Sequence, residues 1–122
     1  MRVIVCGSRT FTNKRLPHAL LDGLHVSTPD RLTLIEGGAR GADEIAARWA
    51  ATTPTVEHLT FFAGWDEHGK AAGPIRNQQM LDEGRPDLVI AFVDKPLAQS
   101  KGTADMVTRA RKANVPTWVV EL

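Results

Sequence analysis

The chain has 122 residues, with fifteen Lys and Arg, fourteen Asp and Glu, and a formal net charge of +1. That length is typical of one domain, and we expect residues 1–122 to form it. A near-neutral chain without a basic stripe is not expected to bind a long polyanion. A single cysteine excludes an internal disulfide, and no apolar segment is long enough to span a membrane. These features predict a cytoplasmic protein with no membrane partner.

Five short apolar segments have the pattern of buried parallel strands, because they are rich in Val, Ile and Leu and are bounded by glycine or proline. They cover residues 2–6, 31–36, 55–59, 87–93 and 116–121. The third is the most polar, and the fourth is the most apolar.

Helical periodicity appears between these segments. The first helix, which Thr12 or Asn13 can cap, carries an apolar face of leucines, and the others cover residues 42–51, 75–83 and 103–113. Strands that alternate with helices predict an α/β fold, a three-layer Rossmann-like sandwich with a mostly parallel sheet of about five strands. We expect Trp49 and Trp118 in its core, and an irregular loop over residues 60–73.

Glycines, hydroxyls and arginines follow three of the predicted strands. Ligands of open α/β sheets bind beyond the carboxyl ends of the strands, and glycines let backbone N–H groups approach an anion closely. The sequence therefore predicts a site for a small phosphorylated ligand. Its residues are Gly7, Ser8 and Arg9 after the first strand, Gly37, Gly38, Arg40, Gly41 and Asp43 after the second, and Gly102 and Thr103 beyond the fourth.

The long loop and the helix after it add Trp65, Lys70, Arg76 and Asn77. Trp65 can stack on a base, and Lys70 and Arg76 can meet phosphate; alternatively, this is a solvated loop with Trp65 as a lid on the core. Residues 64–71 have the spacing of an ATP-binding P-loop, but Ala71 replaces the residue that would hold Mg²⁺. No metal site or cofactor is predicted.

Carboxylates also lie beside the predicted ligand edge. Glu36, Asp43 or Asp105 could stabilise an oxocarbenium-like transition state or position a water molecule, as in glycoside chemistry. Alternatively, Asp43 and Asp105 could cap the starts of helices.

Four segments together resemble a known family. Residues 5–11, 36–43, 69–77 and 102–106, in this order, look like the YspA-like family of the SLOG superfamily, named for Smf/DprA and the LOG proteins. The resemblance spans nearly the whole chain, and it implies a Rossmann-like fold that binds nucleotides or nucleotide-derived ligands.

The resemblance to the LOG phosphoribohydrolases, which cleave the base from a nucleoside monophosphate, also implies residue roles. Arg76 falls at the position of their catalytic arginine, and Gly102 and Thr103 match the end of their phosphate loop. Met106 stands where they have a catalytic glutamate, and Asp105 precedes it. Dimers are common among these relatives, so a homodimer is expected.

Three functions remain open. The first is a nucleotide-binding module that acts as a sensor or a sequestering protein. The second is an N-glycosidase that uses Arg76, Asp105 and Glu36. The third is binding of single-stranded DNA, as in the DprA branch, which the near-neutral charge disfavours.

Overall fold

The computed structural model describes residues 1–28 and 30–122. Its five strands are β1 (Arg2–Gly7), β2 (Thr33–Glu36), β3 (Glu57–Thr60), β4 (Leu88–Val93) and β5 (Thr117–Glu121). They form one parallel sheet in the order β3-β2-β1-β4-β5. The predicted α/β class and five parallel strands are confirmed, with strand bounds that differ by one or two residues at most ends.

Helices cover both faces of the sheet. They are α1 (Arg15–Ser27), α2 (Ala42–Ala51), α3 (Trp65–His68), α4 (Ala72–Gly84) and α5 (Lys101–Lys112), with 3-10 turns at Gly69–Ala71 and Leu97–Gln99. Alternate residues of β1 point to opposite faces. Val3 and Val5 pack with α1 and α2, whereas Ile4 and Cys6 pack with α4 and α5. The result is the predicted three-layer sandwich.

Two local predictions are corrected. The loop over residues 60–73 is partly helical, because α3 and a 3-10 turn lie within it and α4 begins at Ala72. The first turn of α4 includes Pro74, where a proline removes only an N–H that has no partner within the helix. Trp49 is buried as predicted, but Trp118 is 44% exposed, because β5 is an edge strand.

The turn between β1 and α1 shows how the sequence ends a strand and begins a helix. Ser8 donates its backbone N–H to the carbonyl of Phe92 (2.9 Å), which ties the turn to β4. The side chain of Asn13 then accepts the N–H of Leu16 (3.1 Å). Asn13 thus satisfies a donor of the first helical turn, although the helix begins at Arg15, two residues later.

Candidate functional site

A cleft of about 580 Å³ lies at the carboxyl edge of the sheet. We call it the main cleft. It opens between the ends of β1 and β4, where the order of the strands along the chain reverses in the sheet. Parallel α/β sheets bind their ligands at this kind of position.

Eleven of the sixteen residues that the sequence proposed for a site line the main cleft. They are Gly7, Ser8, Arg9, Asp43, Trp65, Lys70, Arg76, Asn77, Gly102, Thr103 and Asp105. Four separate segments of the chain supply them, so the topology brings together residues that are far apart in sequence.

The charged side chains in the lining of the main cleft are mostly cationic. Arg9, Lys70, Arg76, Lys95 and Lys101 line it, against the two acids Asp43 and Asp105. Lys95 and Lys101 were not among the predicted site residues. Their positions, two residues after β4 and at the first residue of α5, could have indicated them, because both lie at the carboxyl edge of the sheet.

A buried pair of hydroxyl groups lies at the floor of the main cleft. The Oγ atoms of Ser8 and Ser100 are 3.1 Å apart, and both residues are buried. Ser8 Oγ also accepts the backbone N–H of Asp94 (3.3 Å). Ser100 directly precedes α5, so the N-terminal N–H groups of this helix lie beside the hydroxyl pair. The pair joins the turn after β1 to the start of α5.

A chain of hydrogen bonds connects α4 with α5 along another wall of the main cleft. Arg76 donates from its guanidinium to the carbonyl of Gly37 (2.6 Å) and to Asn77 Oδ1 (3.1 Å). Asn77 Nδ2 donates to Asp105 Oδ2 (3.0 Å), which also accepts Arg109 Nε (2.9 Å). Arg76 and Asp105, two of the three proposed catalytic residues, are thus held by a shared network.

Met106 and Asp105 occupy very different environments. Met106, which stands where the LOG pattern has its glutamate, is completely buried in the core between the sheet and α4 and α5. Asp105 lines the main cleft instead. Neither Asp105 nor Asp43 caps a helix start, because Asp105 binds Asn77 and Arg109, and Asp43 binds the loop before α2.

A smaller cavity of about 310 Å³ adjoins the main cleft. We call it the side cavity. Gly37, Gly38 and Arg40 line it together with Phe62 and Ala63, while Arg9, Ala39, Trp65 and Arg76 line both cavities. The Arg9 guanidinium carbon lies 5.7 Å from the centre of the Trp65 ring, a cation–π distance.

The loop after β2 uses its glycines and N–H groups in a way that the sequence did not reveal. The N–H groups of Gly37 and Ala39 donate to Asp43 Oδ2 (3.0 and 3.3 Å), and that of Gly38 donates to Glu36 Oε1 (2.6 Å). These donors already bind carboxylates of the same chain. These hydrogen bonds hold the loop after β2 in its conformation.

The glycines of this loop leave space for groups from other parts of the chain. A Cβ at Gly37 would lie 2.5 Å from the Arg76 guanidinium, and a Cβ at Gly38 would lie 2.6 Å from the Phe62 ring. At Gly41, where φ is +74°, a Cβ would collide with the backbone of Ser8. Gly41 lines neither cavity and lets the loops after β1 and β2 approach each other.

Glu36, the third proposed catalytic residue, also lines neither cavity. It is 2% exposed. Besides the Gly38 N–H, its carboxylate accepts Thr60 Oγ1 (2.5 Å) and lies 2.9 Å from His58 Nε2. Glu36 therefore joins the ends of β2 and β3 and shapes the loop that carries the side cavity.

Two buried groups have raised pKa values. Burial, and next the charge of Glu36, raise the pKa of Asp43 from 3.8 to about 6. Burial, followed by the charge of Asp43, raises the pKa of the Cys6 thiol far above its usual range. Since the thiolate is the nucleophilic form of cysteine, this shift disfavours nucleophilic reactivity of Cys6, although Cys6 lines the main cleft.

The fold and the position of the main cleft define a class: Rossmann-like α/β proteins with a cleft at the carboxyl edge of a parallel sheet. Within that class, residues 1–68 match YAcAr, the YspA, cpYpsA-related SLOG family. The chain belongs to this family. Among the described residues, no helix has both the length and the apolar character that crossing a membrane requires.

Two further proteins are similar to this chain. The Gene 61 protein of Mycobacterium phage D29 is 40% identical over 124 residues, covering 94% of this chain and 92% of that protein. The X-ray structure of DNA processing protein A (DprA) from Streptococcus pneumoniae superposes with a TM-score of 0.75 at 18% identity. The match covers 97% of this chain and 49% of the DprA chain, so this chain spans about half of that protein. At this identity the likeness concerns the fold.

Proposed function

We propose that this protein binds a small phosphorylated ligand, a nucleotide or a nucleotide derivative, in the main cleft, and acts as a sensor or a sequestering module. The observation that carries the proposal is the charge of the lining: five cationic side chains against two acids in a space of about 580 Å³. Cavities of roughly 300–1,000 Å³ are typical of small-ligand sites. Family membership supports the same class of ligand.

The proposed phosphate position is the end of the main cleft between Ser8 and α5. Lys95 and Lys101 line the main cleft, Lys101 is the first residue of α5, and the first N–H groups of α5 have no acceptor within the helix. The hydroxyls of Ser100 and Thr103 can donate further hydrogen bonds. The repulsion between Asp105 and a bound anion is reduced, because Arg109 forms an ion pair with Asp105 at 2.9 Å.

Calorimetric titration with nucleoside mono-, di- and triphosphates tests the proposal. Lys101→Ala is expected to weaken binding of the tightest ligand about tenfold or more, because a hydrogen bond to a charged group contributes roughly 1.5–3 kcal/mol. Lys112→Ala is the matched control, since Lys112 is an exposed lysine at the other end of the same helix. Absence of binding by every nucleotide would refute the proposal.

A single-stranded oligothymidine belongs in the same titration. The structural likeness to DprA makes nucleic-acid binding worth testing, but the cations described above converge in one cleft instead of following an extended groove. We therefore expect no binding of the oligonucleotide at 0.15 M salt. Tight binding with a steep salt dependence would favour the DNA alternative.

N-glycoside cleavage of a nucleoside monophosphate is the second candidate, and the environment of Asp105 favours it. Its two side-chain partners, Asn77 and Arg109, both bind Oδ2, so Oδ1 is the oxygen to meet a substrate. In this reaction the C–N bond to the base breaks while Asp105 stabilises the developing oxocarbenium ion. The oxygen of a water molecule then bonds to the sugar carbon, and a proton of that water goes to the departing base. Arg76 would orient the substrate, and Glu36 would act only through the loop it holds.

Release of free base, measured by chromatography, tests this candidate. Asp105→Asn is expected to abolish release, and Arg76→Ala to reduce it strongly. A protein that binds nucleoside monophosphates but releases no base is a binding module. Release that continues unchanged in both variants would show that these residues are not catalytic.

A further inference from the structure

The side cavity differs chemically from the main cleft. It holds two exposed aromatic side chains, since Phe62 is 75% and Trp65 49% exposed. Three arginines, Arg9, Arg40 and Arg76, also line it, and the lining contains no carboxylate. An anion alone would not need aromatic walls, and an apolar group alone would not suit three guanidinium groups.

Phe62 is held in position although most of its ring is open to solvent. Gly38 adopts a φ of +72°, and its missing side chain leaves the space that the Phe62 ring occupies. The methyl group of Thr60 also borders this space, 3.3 Å from where the Gly38 Cβ would stand. The ring therefore packs against the loop after β2 and presents a flat apolar surface to the side cavity.

The Trp65 ring is a second flat surface, and Arg9 lies over one of its faces. Arg9 lies 5.7 Å from the centre of the ring, and the far edge of the ring lies 3.5 Å from where a Cβ of Gly73 would stand. Gly73 thus lets Trp65 lie close to α4. These contacts order the indole between the main cleft and the side cavity.

We propose that the side cavity binds the planar heteroaromatic ring of the ligand, against Phe62 and Trp65, with the acceptor edge of the ring toward Arg40. Aromatic side chains bind bases by stacking, and arginine donates to the acceptor atoms on base edges. Among the described side chains, no carboxylate lies within ion-pair distance of Arg40.

Continuity of the two cavities gives the ligand its orientation. Arg9, Trp65 and Arg76 line both, so a ring in the side cavity can connect through a sugar to a phosphate in the main cleft. This inference rests on the proposed function. It goes further by assigning Phe62 and Arg40 to recognition of the base, and by leaving the Ser8 end of the main cleft to the phosphate.

The test compares the four common nucleoside monophosphates with ribose 5-phosphate, which carries no base. We expect at least one nucleotide to bind more tightly than ribose 5-phosphate. Phe62→Ala should weaken that nucleotide about tenfold and leave ribose 5-phosphate unchanged, whereas Phe62→Tyr should retain the wild-type affinity. Trp118→Ala is the control, because Trp118 is another exposed aromatic residue but lies on the edge strand β5 and lines neither cavity.

The outcomes separate the two proposals. Equal binding of nucleotides and ribose 5-phosphate, with no effect of Phe62→Ala, would overturn the ring site and leave the phosphate site standing. A loss with Arg40→Ala but not with Phe62→Ala would overturn stacking in favour of a second anionic group. Binding of none of the five compounds would overturn the ring site, and the proposed function falls with it if the nucleoside di- and triphosphates also fail to bind.

Discussion

Asp43 provides the sharpest test of the electrostatics of the site, because its carboxyl is 5% exposed. Burial and the nearby charge of Glu36 raise its pKa from 3.8 to about 6. Between these two values the folded chain binds more protons than the unfolded chain, so the free energy of unfolding must fall as the pH rises. The difference between the two pKa values corresponds to about 3 kcal/mol of unfolding free energy at low pH, and this stabilisation is lost fully by about pH 7.

Asp43→Asn removes this titration and keeps an oxygen that can accept the N–H groups of Gly37 and Ala39. Urea unfolding between pH 4 and pH 7.5 measures the effect. Relative to the variant, the wild-type protein should lose about 2.5 kcal/mol of unfolding free energy across this range, because at pH 4 the carboxyl of the unfolded chain is already partly ionised. Glu44→Gln, an exposed acid in the first turn of the same helix, is the control and should leave the wild-type slope unchanged. If the free energy of unfolding has the same pH dependence in the wild type and in Asp43→Asn, the reasoning is refuted.

Three further predictions concern packing and reactivity. Gly7→Ala should lower the free energy of unfolding, measured in urea, by at least about 2 kcal/mol, because the new Cβ would collide with the carbonyl of Phe92. A variant that unfolds at the same urea concentration as the wild type would show that this collision does not occur. Asn77→Ala should cost about 1–2 kcal/mol in the same assay, since it removes three hydrogen bonds made by a buried side chain; a loss below 0.5 kcal/mol would contradict this. Cys6 should react with a thiol reagent at pH 8 only as fast as the protein unfolds, and rapid labelling of the folded protein would show that it is accessible.

Much of the architecture follows from the sequence because strand and helix periods are local properties. Val3, Ile4 and Val5 predict a strand that is buried on both faces, and the alanine-rich segment 42–51 predicts α2 with its observed bounds. The failure at Trp118 has a different cause. An apolar, β-branched segment reads the same in the centre of a sheet as at its edge, and only the order of the strands decides exposure.

Site residues could be predicted only where their place in the sequence, directly after a strand or at the start of a helix, also determines their place in the fold. Residues just after β1 and at the start of α5 reach the main cleft, as strand ends in a parallel sheet must. The partners of Gly37 and Gly38 could not be inferred, because Arg76 and Phe62 reach these glycines from other elements. Glycine in a turn indicates that space is needed, but it does not say which side chain fills that space.

The place of β1 in the sheet has a consequence for how the chain folds. Val3 pairs with Leu34 on one side and with Leu88 on the other, so the first strand of the chain gains its second neighbour about 85 residues later. A nascent chain that has reached only α4 leaves the β4 side of β1 unpaired and its apolar residues uncovered. Folding through such distant contacts is slow to begin, and we expect the native sheet to form cooperatively, only once β4 has left the ribosome.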